Sequence, residues 1–337
     1  MNILKPLAPA DETLIQFLKM GSDLVNRKKN AELEMRSMPA SQNLLLDDDL
    51  SIGSITLRAR DLKGLAMFYQ LVLGLELMDN DLNVITLGRA DKPLIIIKNG
   101  QVLADNNKHA PGLFNFGFVY ENDSMLASVL TRVMYYHPEL FRGATYNGVS
   151  TNFYLEDPEG NGIKLYCDKR ANTWKWLGNT IQVNPQPIDQ SEYLKYHFNE
   201  KVDEQWKKIP VRIGQVHLQV GAMSKAKEFF SELLGLNTTM NLPSVNFFSS
   251  NGYHQHFAVN TWNSRGIQPS ITQGVEEIQL IIGDETYLSA IKRKLEDTKI
   301  KNWVDKQGRF IIVDPATMIR FEIKLVPSAQ TIVQEEI

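Results

Sequence analysis

The chain has 337 residues, 43% hydrophobic and 22% charged, with a formal net charge of −3. At ~150 residues per domain that length suggests about two globular domains, and the balance excludes a disordered polyelectrolyte, which needs few apolar residues and a high net charge. Without a basic excess to displace counterions, nucleic acid is not expected as a partner, and the longest basic cluster, Arg27-Lys28-Lys29, reads as a solvated helix face. The single cysteine, Cys167, excludes an internal disulfide framework and a cysteine-rich zinc site, and fits a reduced, cytoplasmic setting. No run approaches the ~18 apolar residues of a membrane span. The first twenty residues, with Asp11, Glu12 and two prolines, hold no secretory apolar core.

In chain order, residues 1–48 come first, with a polar helix-like stretch near 11–36 and an acidic run, Asp47-Asp48-Asp49. An internal repeat follows. Residues 52–75 and 213–236 match at an offset of 161 without a gap, so that Ile52 meets Ile213, Gly53 meets Gly214, Phe68 meets Phe229 and Leu73-Gly74-Leu75 meets Leu234-Gly235-Leu236. Each copy opens with an alternating strand, Ile55 and Leu57 against Thr56 and Arg58, then Val216 and Leu218 against His217 and Gln219. A helix with apolar positions Leu65, Phe68, Tyr69 and Val72 comes next. Gly74 and Gly235 suit the left-handed residue that ends such a helix.

A second unit opens at Gly112 in one half and at Gly274 in the other, with helices expected near 122–135 and 285–297. Each half closes on an Asp-Pro turn and a strand, Asp157-Pro158 to Tyr166 and Asp314-Pro315 to Ile323. The organisation is α+β, four strand-helix-strand-strand-strand modules in two pairs, at 51–170 and 210–327. A joint at 171–209 carries a short helix near 189–207, and 328–337 form a tail.

The paired Ile-Gly-x-x-x-Leu openings, the Leu-Gly-Leu helix ends, Asp157-Pro-Glu-Gly-Asn-Gly-Ile163 and the stretch Gly252 to Trp262 resemble the vicinal oxygen chelate superfamily, which includes glyoxalase I, bleomycin-resistance proteins and extradiol ring-cleaving dioxygenases. Within it the chain is most similar to bacterial two-domain catechol 2,3-dioxygenase-like proteins. The resemblance implies two domains, each a pair of βαβββ modules forming a half-open curved sheet with helices on the convex face. The concave face would hold a divalent metal, Fe²⁺ or Mn²⁺ first and Zn²⁺ or Ni²⁺ next, or would have lost it.

Carried over residue by residue, the family's ligand positions in the first half fall on Thr56, Asn115 and Lys164, and a further histidine position on Asn147. Such a set does not suit Fe²⁺ or Mn²⁺, so the first half is expected to bind no catalytic metal. The second half carries His217, Glu277 and Glu322 as implied metal ligands, with Glu277 where the family has histidine. Glu322 falls one residue later than expected and needs a longer turn; without it Arg320 would face inward and repel a metal. His256, with His254, is the implied acid–base, because imidazole titrates near neutrality. Tyr253, Asn260, Trp262, Gln279 and Arg320 are the implied substrate contacts.

Three functions follow as expectations: a metal-dependent ring-cleaving dioxygenase with its site in the second half, a metal-free protein that binds or sequesters a small aromatic molecule, and a glyoxalase-type lyase or isomerase. The expected partner is a small aromatic or diol-like ligand, without nucleic acid or membrane, in a homodimer. His109, His137 and His197 are expected to be solvent-exposed, and Cys167, lacking a partner pattern, is not expected to act as a nucleophile.

Overall fold

The computed structural model describes residues 50–104 and 108–326. The expected helical extension at 1–48 and the tail at 328–337 lie outside them. The first module is β1 (Ser51–Ala59), α1 (Leu62–Leu71), β2 (Glu76–Asn80), β3 (Val84–Arg89) and β4 (Lys92–Asn99). The second is β5 (Gly112–Tyr120), α2 (Asp123–Tyr136), β6 (Phe141–Tyr146), β7 (Ser150–Glu156) and β8 (Gly162–Asp168). The joint holds three two-residue strands, β9 (Trp176–Leu177), β10 (Thr180–Ile181) and β11 (Gln186–Pro187), then α3 (Gln190–His197) and α4 (Glu200–Asp203). The third module is β12 (Arg212–Gln219), α5 (Met223–Lys227) running into a π-helical turn at Glu228–Leu233, β13 (Asn237–Asn241), β14 (Val245–Ser249) and β15 (Phe257–Asn260). The fourth is β16 (Gly274–Ile282), α6 (Glu285–Glu296), β17 (Asn302–Val304), β18 (Phe310–Val313) and β19 (Arg320–Leu325).

Local chemistry sets these limits. Asp61, Asn122 and Asp284 cap α1, α2 and α6 by accepting from the backbone N–H groups of Gly64, Met125 and Thr286. Gly74 and Gly235 take left-handed φ values of 70° and 68° where the first helix of each half ends. The single helix expected near 189–207 is instead broken at Phe198 and Asn199, because the Asn199 side chain starts a new helix by accepting from Lys201 and Val202. Among the described residues no helix is long and apolar enough to cross a membrane.

Strand pairing corrects the expectation that neighbouring modules share a sheet. One sheet runs β17-β18-β19-β16-β1-β4-β3-β2 and the other β11-β6-β7-β8-β5-β12-β15-β14-β13. The first module therefore pairs with the fourth and the second with the third, each through the antiparallel opening strands β1 with β16 and β5 with β12. The links at 100–111 and 261–273 carry the chain between sheets, while the long joint returns it to the second sheet. Consecutive modules still share the buried helical layer. Tyr69 of α1 donates to Asp157 of the second module, and Tyr287 of α6 donates to the Leu234 carbonyl of the third. Phe230 lies 4.9 Å from Phe257 in one sheet and 5.8 Å from Phe321 in the other, so one apolar core joins both.

Candidate functional site

The same irregularity shapes both sheets. Thr56 opposes Glu277 and Leu57 opposes Val275, leaving Glu276 as an extra residue; His217 opposes Asn115 and Leu218 opposes Leu113, leaving Phe114 extra. A β-bulge turns two successive side chains toward one face. In the first sheet Glu276 and Glu277 thus both reach the polar face, and in the second Phe114 and Asn115 both reach the face of His217.

The polar face of the first sheet is an ion-pair lattice. Glu276 meets Arg58 at 2.9 Å and Lys98 at 3.1 Å, and also pairs with Arg320. Glu277 meets Arg309 at 2.8 Å and Arg320 at 3.4 Å. Glu322 accepts from Gln279 at 3.1 Å and faces Arg309 at 3.4 Å. Four cations thus face three carboxylates. The longer turn that Glu322 requires is present. Asp314 N–H reaches the carbonyl of Ile319, where Asp157 N–H reaches that of Asn161, and Glu322 and Lys164 then occupy equivalent places on the closing strands, opposite Gln279 and Gly117.

The polar face of the second sheet has a different character. Gln215, Gly117 and Lys164 lie side by side across β12, β5 and β8, and His217, Asn115 and Gly162 form the next row. A Cβ on Gly117 would stand 2.8 Å from Gln215 Cγ and 2.8 Å from Tyr166 Cε1, so glycine leaves the floor on which those two groups rest. Lys164 is buried, with its ammonium 4.4 Å from the Tyr166 ring, and among the described residues it makes no ion pair. Burial lowers its pKa from 10.5 to about 7, with Asp168 opposing the shift. Among the described residues the buried Asn115 Nδ2 has no acceptor, while the Gln215 amide is held against the Tyr166 hydroxyl. The rings of Phe114 and Trp262 stand 4.8 Å and 5.5 Å from His217.

The joint crosses this face. Ala258 and Phe247 lie in register with His217, and Ile181 and Val183 pack with them in a small apolar cluster. Trp174 closes the far end, its ring 5.0 Å from that of His254.

The residues expected to form one site are divided between the two sheets. His217, Tyr253, His254, His256, Asn260 and Trp262 belong to the second sheet or its loops, whereas Glu277, Gln279, Arg320 and Glu322 belong to the first. The single concave surface expected for them does not form, because module pairing crosses the halves. His217 Nε2 accepts from Asn260 Nδ2 at 3.0 Å, an amide orientation set by the Trp262 N–H donating to Asn260 Oδ1. Burial, then Lys164, lowers the His217 pKa to about 3.

His256 Nδ1 accepts from the Ser250 N–H and lies 2.8 Å from Ser249 Oγ. Burial, then His254 and Arg212, lowers its pKa to about 3, which corrects the near-neutral titration expected of an acid–base. His254 is 2.9 Å from Asp168, which also accepts from Tyr253 at 2.7 Å; burial opposes the charged form, but these bonds hold the carboxyl below its usual value. Of the other histidines His109 is exposed, His137 keeps 40% of its side chain exposed beside Phe68, and His197 is half-buried against Tyr193. The Cys167 thiol is buried and pushed up to about 12, as its inert reading requires.

The donor sets do not fit a resident divalent metal. Among the described residues no three His, Cys, Asp or Glu side chains converge as a metal would need. The His217 lone pair is taken by Asn260, and its neighbours at the ligand positions are an amide and an ammonium. Glu277 and Glu322 are neutralised by arginines. Sequence reasoning treated Asn115 and Lys164 as lost ligands of the other half and missed them as neighbours of His217. Their signal was their place at ligand positions, which becomes informative once modules two and three are known to pair.

Two sheets of paired βαβββ modules around one helical layer agree with the fold that the resemblance of the repeat and its turns implies. No protein-family model matches the chain. It is 26% identical over 282 residues to a catechol-2,3-dioxygenase of Bacillus subtilis (strain 168), an alignment that covers 81% of this chain and 96% of that protein. Among solved structures it is similar in fold to the cppA protein of Streptococcus pneumoniae TIGR4, with a TM-score of 0.52 and 12% identity over 82% of this chain and 100% of that one. A candidate dioxygenase from Bacillus subtilis subsp. subtilis strain 168 gives a TM-score of 0.52 and 15% identity over 85% of this chain and 94% of that one.

Proposed function

We propose that the protein binds a small aromatic molecule bearing an oxyanion, without a metal, on the polar face of the second sheet. The observation that carries this reading is Lys164, 6% exposed and without an ion pair among the described residues, beside the buried Asn115 Nδ2, which has no acceptor among them. Buried donors are ordinarily satisfied, and a buried lysine next to an open amide donor is shaped for an acceptor. Lys164 supplies there the positive charge that a chelating metal supplies elsewhere in the fold, and the half-buried Phe114 and Trp262 offer ring faces to the ligand body.

The test pairs metal analysis of untagged protein with titration of salicylate and 4-nitrocatechol, followed by tryptophan fluorescence. The expected result is metal-free protein whose affinity survives EDTA and is lost in Lys164→Met. Close to one metal per chain, lost in His217→Ala, overturns it.

A second reading, an extradiol ring-cleaving dioxygenase, is favoured by the Bacillus subtilis relative that the chain matches over 96% of its length. Oxygen uptake with a catechol panel after anaerobic loading with Fe²⁺ decides between them. A lyase or isomerase using a glutamate base has less support, since Glu277 and Glu322 are both held by Arg309.

A further inference from the structure

Away from the two polar faces, a cavity of about 500 Å³ opens where the sheets adjoin, between the β3–β4 hairpin and the ends of β5 and β8 beside the start of β12. Its volume is in the range of small-molecule sites. Both sheets contribute: Arg89, Ala90 and Lys92 come from one, and Tyr120, Asp168 and Arg212 from the other.

The polar groups in its wall are mostly donors. Arg89 is 6% exposed; its Nη2 donates to the Gly74 carbonyl at 2.7 Å and its Nη1 lies 3.5 Å from Glu76, while its Nε has no partner among the described residues. The Tyr120 hydroxyl is buried with no partner among the described residues, and burial raises its pKa, so it keeps its proton at neutral pH. Arg212 is exposed, and among the described residues it makes no ion pair. Of the two carboxylates in the wall, Glu121 is exposed and Asp168 is already engaged by His254 and Tyr253. Val119, Pro210 and Val211 supply an apolar side.

We propose that this cavity is a second ligand site, for a small organic acid whose carboxylate meets Arg212, Arg89 and Tyr120 and whose apolar body rests on Val119 and Val211. The guanidinium groups would hold the carboxylate through charge-assisted hydrogen bonds, the strongest the protein can offer there. The proposal does not rest on the reading of the other face, although Asp168 in this wall is the carboxylate whose charge acts on Lys164.

The test uses hexanoate, which has no ring for the other face, and its neutral counterpart 1-hexanol, with affinities from NMR titration of wild type, Arg212→Gln and Tyr120→Phe. Arg212 is exposed and Tyr120→Phe keeps the ring, so both variants should fold. The expected result is millimolar binding of hexanoate, weakened about tenfold in Arg212→Gln and in Tyr120→Phe, with 1-hexanol bound at least about tenfold more weakly. Affinity that is unchanged in both cavity variants, equal binding of 1-hexanol, or no binding at about 10 mM hexanoate overturns the proposal.

Discussion

Replacing Lys164 by methionine removes a buried ammonium that has no ion-pair partner, and the change should stabilise the fold while abolishing ligand binding. The lysine titrates at about 7 in the folded protein against 10.5 in an open chain. At about 1.4 kcal/mol per pH unit, its burial opposes folding by about 5 kcal/mol near pH 6 and by about 2 kcal/mol at pH 9. The folded value is the lower one, so the unfolded chain holds the extra proton between pH 7 and 10.5 and stability rises with pH across that window. Methionine keeps the length of the stem and loses the ammonium's contact with the Tyr166 ring, an offset of about 1 kcal/mol.

Urea unfolding at pH 6 and pH 9 reads the difference. With a slope of about 3 kcal/mol per molar, the variant's advantage in midpoint should shrink by about 1 M between the two conditions. A variant less stable than wild type at pH 6, or an advantage that does not change with pH, would refute the buried-ammonium argument. A gain in stability at a site that loses function is the expected mark of a binding group held at a conformational cost.

Three further outcomes follow. Anion affinity on the same face should fall about tenfold per pH unit above pH ~7, because only the ammonium form of Lys164 attracts the ligand, as isothermal titration across pH 6 to 9 would record. Asp157→Ala should destabilise by about 3 kcal/mol in calorimetry, since the carboxylate accepts from Tyr69 Oη, Asn161 Nδ2 and the backbone N–H groups of Glu159 and Asn161, all of which would be left buried or unsatisfied. Ile181→Ala should cost about 3 kcal/mol in urea unfolding, because the joint covers the β14–β15 part of the second sheet with a side chain that is 0% exposed; a loss below about 1 kcal/mol would mean that the joint does not pack there.

The repeat made much of the architecture legible. Alternation along Ile55 to Arg58 and Val216 to Gln219, the Leu-Gly-Leu helix ends and the two Asp-Pro turns each follow from interactions within a few residues. The bulges at Phe114 and Glu276 were not legible, because a bulge is defined by the strand opposite and not by its own residues. Nor was the lowered pKa of His256, which follows from burial and from the charges of His254 and Arg212. The candidate site was half legible. His217, Asn260 and Trp262 do lie together, whereas Glu277 and Glu322 belong to another sheet.

Local periodicity and turn chemistry thus determined four modules and, outside the bulges, which side chains of each strand share a face, since alternation is a property of the strand alone. Which faces meet was decided only in three dimensions. Backbone hydrogen bonds between opening strands carry no residue code, so β1 can pair with β5 or β16 on equal terms, and the links, the joint and the shared apolar core settle the choice. That choice put Lys164 and Asn115 beside His217, and placed Arg309 and Arg320 on Glu277.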